Sequence, residues 1–258
     1  MRKEIVRTVY LVMGFILISS LAGCQNPDKN VPKPTSGALP AAEAGKTVFF
    51  SDDFENGLSS EWKKTVHVAC SLSLDNTIKK SGNYSCKFSD QSKVGYRVFL
   101  NNSGLNISSG ETYIKFDVYF QSGFWAQLST PPGPGWAQQL FSLNDGASPN
   151  STVVLSANIT DGKNAFELSL KNSGVYLPLR VSDTVGVDNT WYTVEIKVPR
   201  GTGDLEWWIN GVAQPAYKDV TVDKTWVGCT VGLCWTENPY TRTGLIINVD
   251  NFIISNYK

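Results

Sequence analysis

The chain lacks an excess of either charge. Its 258 residues carry 23 basic and 23 acidic side chains, so no basic field exists to hold a nucleic acid by its phosphates. Helical periodicity is scarce as well. Beyond the N-terminus no stretch longer than about ten residues repeats its apolar positions every 3.6 residues, which argues against a coiled coil. Histidine occurs once, at His67, so zinc ligation by the cysteines has almost no imidazole to draw on. No repeat of fixed period is present, which removes propellers and solenoids. What the chain does have is 12% aromatic residues, eight of them tryptophan, against 18% charged. That balance describes a well-packed domain and not a disordered or polytopic membrane chain.

Residues 1–23 read as a removable export signal. Arg2, Lys3 and Arg7 form a basic start, and Val9 to Ile18 is apolar but too short to span a bilayer comfortably. Without this segment three basic residues and one acidic residue are lost, leaving 20 against 22. The sequence Leu21-Ala22-Gly23-Cys24 resembles the lipobox of bacterial lipoproteins. The resemblance implies cleavage before Cys24, lipid on its thiol, and a membrane anchor that does not span. Gln25 follows in place of the Asp that retains some lipoproteins at an inner membrane, so a bacterial cell surface or outer membrane is the expected location. Residues 24–45 are rich in Pro, Ala and small polar residues and read as a tether. The folded domain is expected over 46–258.

Four cysteines lie in that domain, Cys70, Cys86, Cys229 and Cys234. An even number in an exported chain allows three pairings. Cys70–Cys86, about a turn at Lys79 to Gly82, and Cys229–Cys234, closing a small loop, are the favoured ones. Asn-x-Ser/Thr triplets at Asn106 and Asn158 read as surface turns.

Alternation of apolar and polar residues recurs from Thr47 to the C-terminus, broken by Gly, Asn, Asp, Ser and Pro. This is the pattern of an all-β antiparallel domain. In 111–120, Ile114, Phe116, Val118 and Phe120 share one face and Tyr113, Lys115, Asp117 and Tyr119 the other. Tyr192, Val194, Ile196 and Val198 form the buried set of a second strand, and Leu205, Trp207 and Ile209 that of a third. Asn210-Gly211 predicts a type I′ hairpin joining 204–209 to 212–216. About a dozen such runs are too many for one open sheet, so the fold class is a two-sheet antiparallel β-sandwich.

Several segments carry a family likeness. Phe49 to Gly57 with Trp62, Ser81 to Phe88, Asn189 to Ile196, Trp208 to Gly211 and Asn248 to Ser255 resemble concanavalin A-like lectin/glucanase jelly rolls, in particular their laminin-G-like and polysaccharide-lyase-like branches. The resemblance covers nearly all of 47–258. It implies binding or cleavage of a polysaccharide on the concave face of one sheet, and fold far better than activity.

Sugar rings have apolar faces and hydroxyl rims, so their sites pair aromatic platforms with carboxylates, amides and arginine. The candidates are Trp125 and Trp136 at the ends of a Pro/Gly-rich loop, Asp117 and Tyr119 on the strand before it, Arg97, Trp208, and Trp235 with Tyr240. Trp125 and Trp136 could equally cover an end of the core. The Glu-x-Asp-x-x-Glu motif of jelly-roll glucanases is absent, which disfavours hydrolysis. A lyase would need a group to neutralise a uronate and a base, roles open to Arg97, Lys115 and Tyr119, or to His67. The Arg-x-Glu-x-Arg and Gln-Ile-His motifs of alginate-lyase jelly rolls are missing. No cofactor is required. A structural Ca²⁺ has candidate oxygen ligands in Asp52, Asp53, Glu55, Asp250 and Asn251, where first and last strands of this fold meet; turns and Asx caps explain the same residues. The reading is therefore a monomeric, surface-anchored, polysaccharide-binding lipoprotein, with a polysaccharide lyase or a protein-binding envelope lipoprotein as alternatives.

Overall fold

Period-two alternation commits each strand to one wet and one dry face, and two such sheets close over their dry faces. The computed structural model describes residues 45–91, 97–128, 137–146, 152–172, 175–236 and 244–258, with backbone alone for Asn172, Trp235 and Thr236. Trp136, Tyr240 and Cys24 lie outside the described residues. Among the described residues there are seventeen strands. The first six are β1 (Val48–Asp52), β2 (Lys63–Val66), β3 (Cys70–Asp75), β4 (Ser85–Asp90), β5 (Val98–Asn102) and β6 (Thr112–Phe120). A one-turn helix, α1 (Phe124–Leu128), follows. Then come β7 (Gln138–Asn144), β8 (Thr152–Thr160), β9 (Lys163–Asn172), β10 (Val175–Tyr176) and β11 (Arg180–Val185). The last six are β12 (Thr190–Val198), β13 (Gly201–Ile209), β14 (Val212–Ala213), β15 (Tyr217–Val222), β16 (Gly228–Thr236) and β17 (Leu245–Ser255).

Sheet A runs β14-β13-β12-β6-β17-β4-β3, with β1 also on β17 and β15 also on β13. Sheet B runs β10-β9-β8-β7-β16-β5-β2, with β11 also on β9. Every pairing is antiparallel. The dry faces meet in one core, where Phe116 of sheet A, Phe141 of sheet B and Phe252 pack at ring distances of 5.6 to 6.1 Å. The faces expected for β6, β12 and β13 are the faces seen, with Ile114, Phe116, Val194, Ile196, Leu205 and Trp207 buried. Asn210 and Gly211 both have positive φ, 52° and 76°, as the type I′ turn between β13 and β14 requires.

The favoured disulfides do not form; none of the four cysteines is bridged to another. Cys70 pairs across the β3–β4 hairpin with Asp90, whereas Cys86 stands opposite Leu74, four positions along. At about 3.4 Å per residue that offset exceeds any disulfide span. Cys229 and Cys234 lie along a single strand and not around a loop. Burial pushes the Cys86 and Cys229 thiols far up, and that of Cys234 up to about 12. The Pro/Gly-rich stretch also begins differently from expectation, since Phe124 to Leu128 form α1 where only a loop was read.

At the end of β1 a buried carboxylate organises the chain. Asp52 accepts bonds from the backbone N–H of Phe54 (2.8 Å) and Ser59 (2.9 Å) and from Trp62 Nε1 (2.9 Å). Burial raises its pKa, opposed by these three donors. Trp62 then packs edge-on to Phe50 at 4.7 Å and on Phe252 at 5.4 Å.

Two outcomes follow. Asp52→Ala orphans three donors and should lower the unfolding free energy by about 2–4 kcal/mol in urea titration, while the exposed Asp53→Ala should cost below about 1 kcal/mol. In the folded domain iodoacetamide should modify Cys70, the half-buried thiol, ahead of the three buried ones. All four should alkylate in guanidinium without reductant; a disulfide in the mass spectrum of that sample would contradict the register.

Candidate functional site

The outward face of sheet A carries Lys115, Asp117, Tyr119 and Trp208 of the residues singled out from sequence, and it is already engaged with itself. Lys115 pairs with Glu195 at 3.4 Å, and Lys258 pairs with the same carboxylate at 3.3 Å. Lys197 bridges Glu111 and Glu206 at 3.1 and 3.4 Å. Tyr119 donates to Asn189 at 3.3 Å and its ring lies 5.4 Å from Trp191. The ammonium of Lys258 sits 3.8 Å from the ring centroid of Trp208. Asp117, expected on the wet face, is nearly buried there. It accepts from Thr193 Oγ1 (2.5 Å) and Asn251 Nδ2 (2.8 Å).

Two expectations about these residues need correction. Lys115 and Tyr119 stand on β6 of sheet A, whereas Arg97 immediately precedes β5 of sheet B, so the three do not converge. Trp125 is not displayed. It is 3% exposed and packs on Phe120 (5.0 Å), Phe124 (5.4 Å) and Phe166 (5.9 Å). A helix turn directs it inward: Asp188 accepts from the N–H of Gly123 (2.7 Å) and Trp125 (3.2 Å), tying α1 down over the core. Gly186 leaves room for the ring, since a Cβ there would lie 2.0 Å from it. Trp235 stands in β16 opposite Gln139 by backbone pairing.

The residues expected around calcium each accept hydrogen bonds from the protein. β1 does meet β17, Asp52 opposite Phe252, but N–H groups take the oxygens. Asp52 is occupied as described above. Asp53 accepts from the N–H of Glu55 at 3.1 Å. Glu55 accepts from Asn83 and Tyr84, 2.8 to 3.0 Å. Asp250 accepts from the N–H of Lys80 (2.9 Å), Ser81 (3.2 Å) and Asn251 (2.8 Å). Burial raises the Asp250 pKa, against those donors. Asn251 Oδ1 accepts from Ser81 Oγ at 3.0 Å. No group of three or more His, Cys, Asp or Glu able to hold a metal occurs among the described residues.

Sheet B presents a different surface. The core side of β8 and β9 carries Val153, Leu155, Ala157, Phe166, Leu168 and Leu170, so Ser156, Asn158, Glu167 and Ser169 face outward. Strand registers line outward side chains into transverse rows. One row runs Lys63, Asn101, Thr230, Ser142, Val154, Ser169. A second runs Gln139, Ser156, Glu167, Val181. Six strands at about 4.8 Å spacing give the first row a length of roughly 24 Å. Apart from Lys63, Val154 and Val181 the side chains are hydroxyls, amides and one carboxylate, and Ser142, Ser156, Asn158 and Ser169 are nearly buried although they face away from the core. Ser142 and Thr230 share a 2.6 Å hydrogen bond.

Glu167 is the most constrained of them. It is 4% exposed, and its Oε1 accepts from Asn158 Nδ2 (3.1 Å) and Thr160 Oγ1 (2.6 Å). Oε2 has no bonding partner among the described residues and is not sealed from solvent. At the other end of the face, Phe99 stands half-buried between Thr65 and Gly232. His67 stands directly across from Arg97, its backbone N–H donating to the Arg97 carbonyl at 3.1 Å. Burial lowers the Arg97 pKa. The strands kink where the rows meet, because β7 slips register between Gln139 and Phe141 and β16 between Val231 and Trp235. Bulges of this kind re-aim side chains beside sites.

Sequence reasoning passed over Glu167, Ser156, Ser142, Thr230, Asn101, Gln139 and Phe99. It also read Asn158 as a surface turn, whereas it sits within β8 holding Glu167. A signal not used was Asp161-Gly162, a two-residue turn pair whose φ values are 52° and 74°, flanked by outward Ser, Asn and Glu at alternate positions.

No protein-family model matches the chain, and no curated protein matches it in sequence. Among solved structures it is similar to an endo-β-1,4-glucuronan lyase from the fungus Trichoderma reesei, with TM-score 0.60 and 14% identity over 82% of this chain and 96% of that one. It is similar to the cellulose-induced protein Cip1, with TM-score 0.58 and 17% identity over 81% and 97%. A third likeness is to the ligand-binding domain of botulinum neurotoxin serotype D in complex with N-acetylneuraminic acid, with TM-score 0.51 and 16% identity over 78% and 44%. The fold is the concanavalin A-like jelly roll. Carbohydrate-binding lectins and polysaccharide lyases share it.

Burial of Trp125 has a measurable consequence. Trp125→Ala should cost about 3–5 kcal/mol of stability, read by urea unfolding, as expected for an aromatic removed from a packed core.

Proposed function

We propose that the protein binds an extracellular polysaccharide across the outward face of sheet B. The observation that carries this reading is the pair of transverse rows made largely of polar side chains, with a carboxylate among them whose Oε1 is clamped by Asn158 and Thr160. A saccharide presents hydroxyls at close intervals that act as donors and acceptors. Ser142, Ser156, Asn101, Thr230 and Gln139 offer both, and Glu167 accepts. The half-buried ring of Phe99 supplies an apolar surface for a sugar's C–H face. Sheet A supports the reading less well, because its charged groups are paired with each other and its Trp208 ring carries Lys258. The lipobox-like sequence at Cys24 and the tether after it would hold this face off a bacterial surface.

A second reading has its own support. His67 and Arg97 are paired through their backbones next to β2 and β5, which brings a base and a cation for β-elimination on a uronate to neighbouring positions. In that reaction the base removes the proton α to the carboxylate, Arg97 offsets charge on that carboxylate, and the 4-O-linked sugar leaves with its bond electrons and a proton.

Affinity electrophoresis against a panel of neutral and uronate polysaccharides tests both. Retardation should occur with wild type, fall about tenfold in affinity in Arg97→Ala and Asn101→Ala, and persist in Trp208→Ala. Loss in Trp208→Ala with no change in the other two would move the site to sheet A. Unsaturated product that appears with wild type and disappears in His67→Ala would establish the lyase.

A further inference from the structure

We propose that the edge of this face holds a terminal subsite, at the β11 bulge, that takes a neutral end sugar of the bound glycan and excludes a terminal uronate; this rests on the glycan reading above. A depression of about 260 Å³ opens between the β8–β9 hairpin and β11. Ala165 forms its floor, at an outward position between Asn158 and Val185. Val181 and Val185 flank it, and Thr160, Lys163 and Asp183 complete the rim with Asp161. Pockets for drug-sized ligands run from about 300 Å³ upward, so this one has room for a single ring.

The depression is built and braced. β11 slips register on β9 between Val181 and Val185. Within the slip Ser182 Oγ accepts from the N–H of Phe166 (3.0 Å) and donates to the carbonyl of Thr184 (2.7 Å). Gln214, nearly buried, spends its whole amide on the same segment and its neighbour. Its Oε1 accepts from the N–H groups of Asp183 (2.9 Å) and Thr184 (3.3 Å). Its Nε2 donates to Thr184 Oγ1 (3.0 Å) and the Val212 carbonyl (2.8 Å). A bulge held at this many points keeps its concavity without a ligand, and a preformed site binds at lower ordering cost.

Position and charge identify the occupant. Thr160 lines the depression and donates to Glu167 Oε1, so the row through Glu167 ends at its rim. Two carboxylates, Asp161 and Asp183, line it with one ammonium, Lys163. The opposite end of sheet B carries Lys63 and Arg97. A carboxylate on the end sugar would meet like charge here, whereas neutral hydroxyls find acceptors, and the apolar floor suits a ring's C–H face.

The test uses the whole domain and labelled fragments of β-1,4-glucan, xylan and mannan, with glucuronan fragments ending in a uronate. Ala165→Leu should weaken neutral-ended fragments about tenfold or more. Asp183→Lys, at an exposed position that cannot disturb the core, should raise affinity for uronate-ended fragments relative to neutral ones. If wild type binds and Arg97→Ala weakens it, while both rim variants behave as wild type, the subsite is refuted and the sheet B reading survives. If wild type binds no fragment and no polymer, the glycan reading itself fails.

Discussion

Phe116, Phe141 and Phe252 come from three strands and both sheets, and their contact fixes which side of each strand is dry. Because side chains alternate at period two, a slip of one residue in any of these strands would exchange its two faces completely. The aromatic seam therefore determines what faces outward as firmly as what faces in. Glu167 stands on the surface of sheet B because Phe166 and Leu168 are committed to the core on either side of it. Asn158 reaches Glu167 because Ala157 is buried and strand pairing sets Asn158 beside Ala165.

The two outward faces then diverge in chemistry. Sheet A uses long charged side chains, paired across strands in the manner that relieves repulsion on a wet surface. Exposed pairs of this type contribute little stability individually, but they occupy the groups a ligand would need. The turn after β3 also folds over this face, since Asn248 donates to Asp75 (3.1 Å) and Ser85 (3.0 Å) while Asp250 receives Lys80 and Ser81. Sheet B has short hydroxyls and amides instead, which cannot reach one another except at adjacent positions such as Ser142 and Thr230. Their remaining capacity is directed outward.

Strand faces were legible in the sequence wherever alternation was regular, as in β6, β12 and β13, and Asn210-Gly211 announced its hairpin through the φ values it permits. Alternation does not say which sheet a strand joins. That is why Arg97 and Tyr119 could be read as neighbours when they occupy opposite sheets. Nor does it register lateral pairing, and the cysteine spacing suggested bridges that a four-residue offset forbids. Trp125 stayed open between display and core cover for a different reason: a Pro/Gly-rich stretch does not reveal the helical turn, held by Asp188 from far along the chain, that swings the ring under. The outward row on sheet B was hidden because short polar residues at alternate positions are also what an ordinary wet face contains. Only the register shows that they align, and only burial shows Glu167 to be clamped.

The character of that row bears on the size of its ligand. A hydrogen bond exchanged with water nets about 0.5–1.5 kcal/mol, with more for a charged acceptor, so one sugar touching two or three such groups would scarcely overcome the cost of being held. On the glycan reading, useful affinity arises only when one chain satisfies several positions together, from Lys63 at one edge to Val181 at the other. A face roughly 24 Å across with no deep aromatic pocket among the described residues is suited to such a chain. Its charge changes sign along the way, basic at β2 and β5 and acidic at the β11 bulge. An extended polymer lying across it would thus experience a direction, and the order in which its charged and neutral units occur would matter as much as their identity.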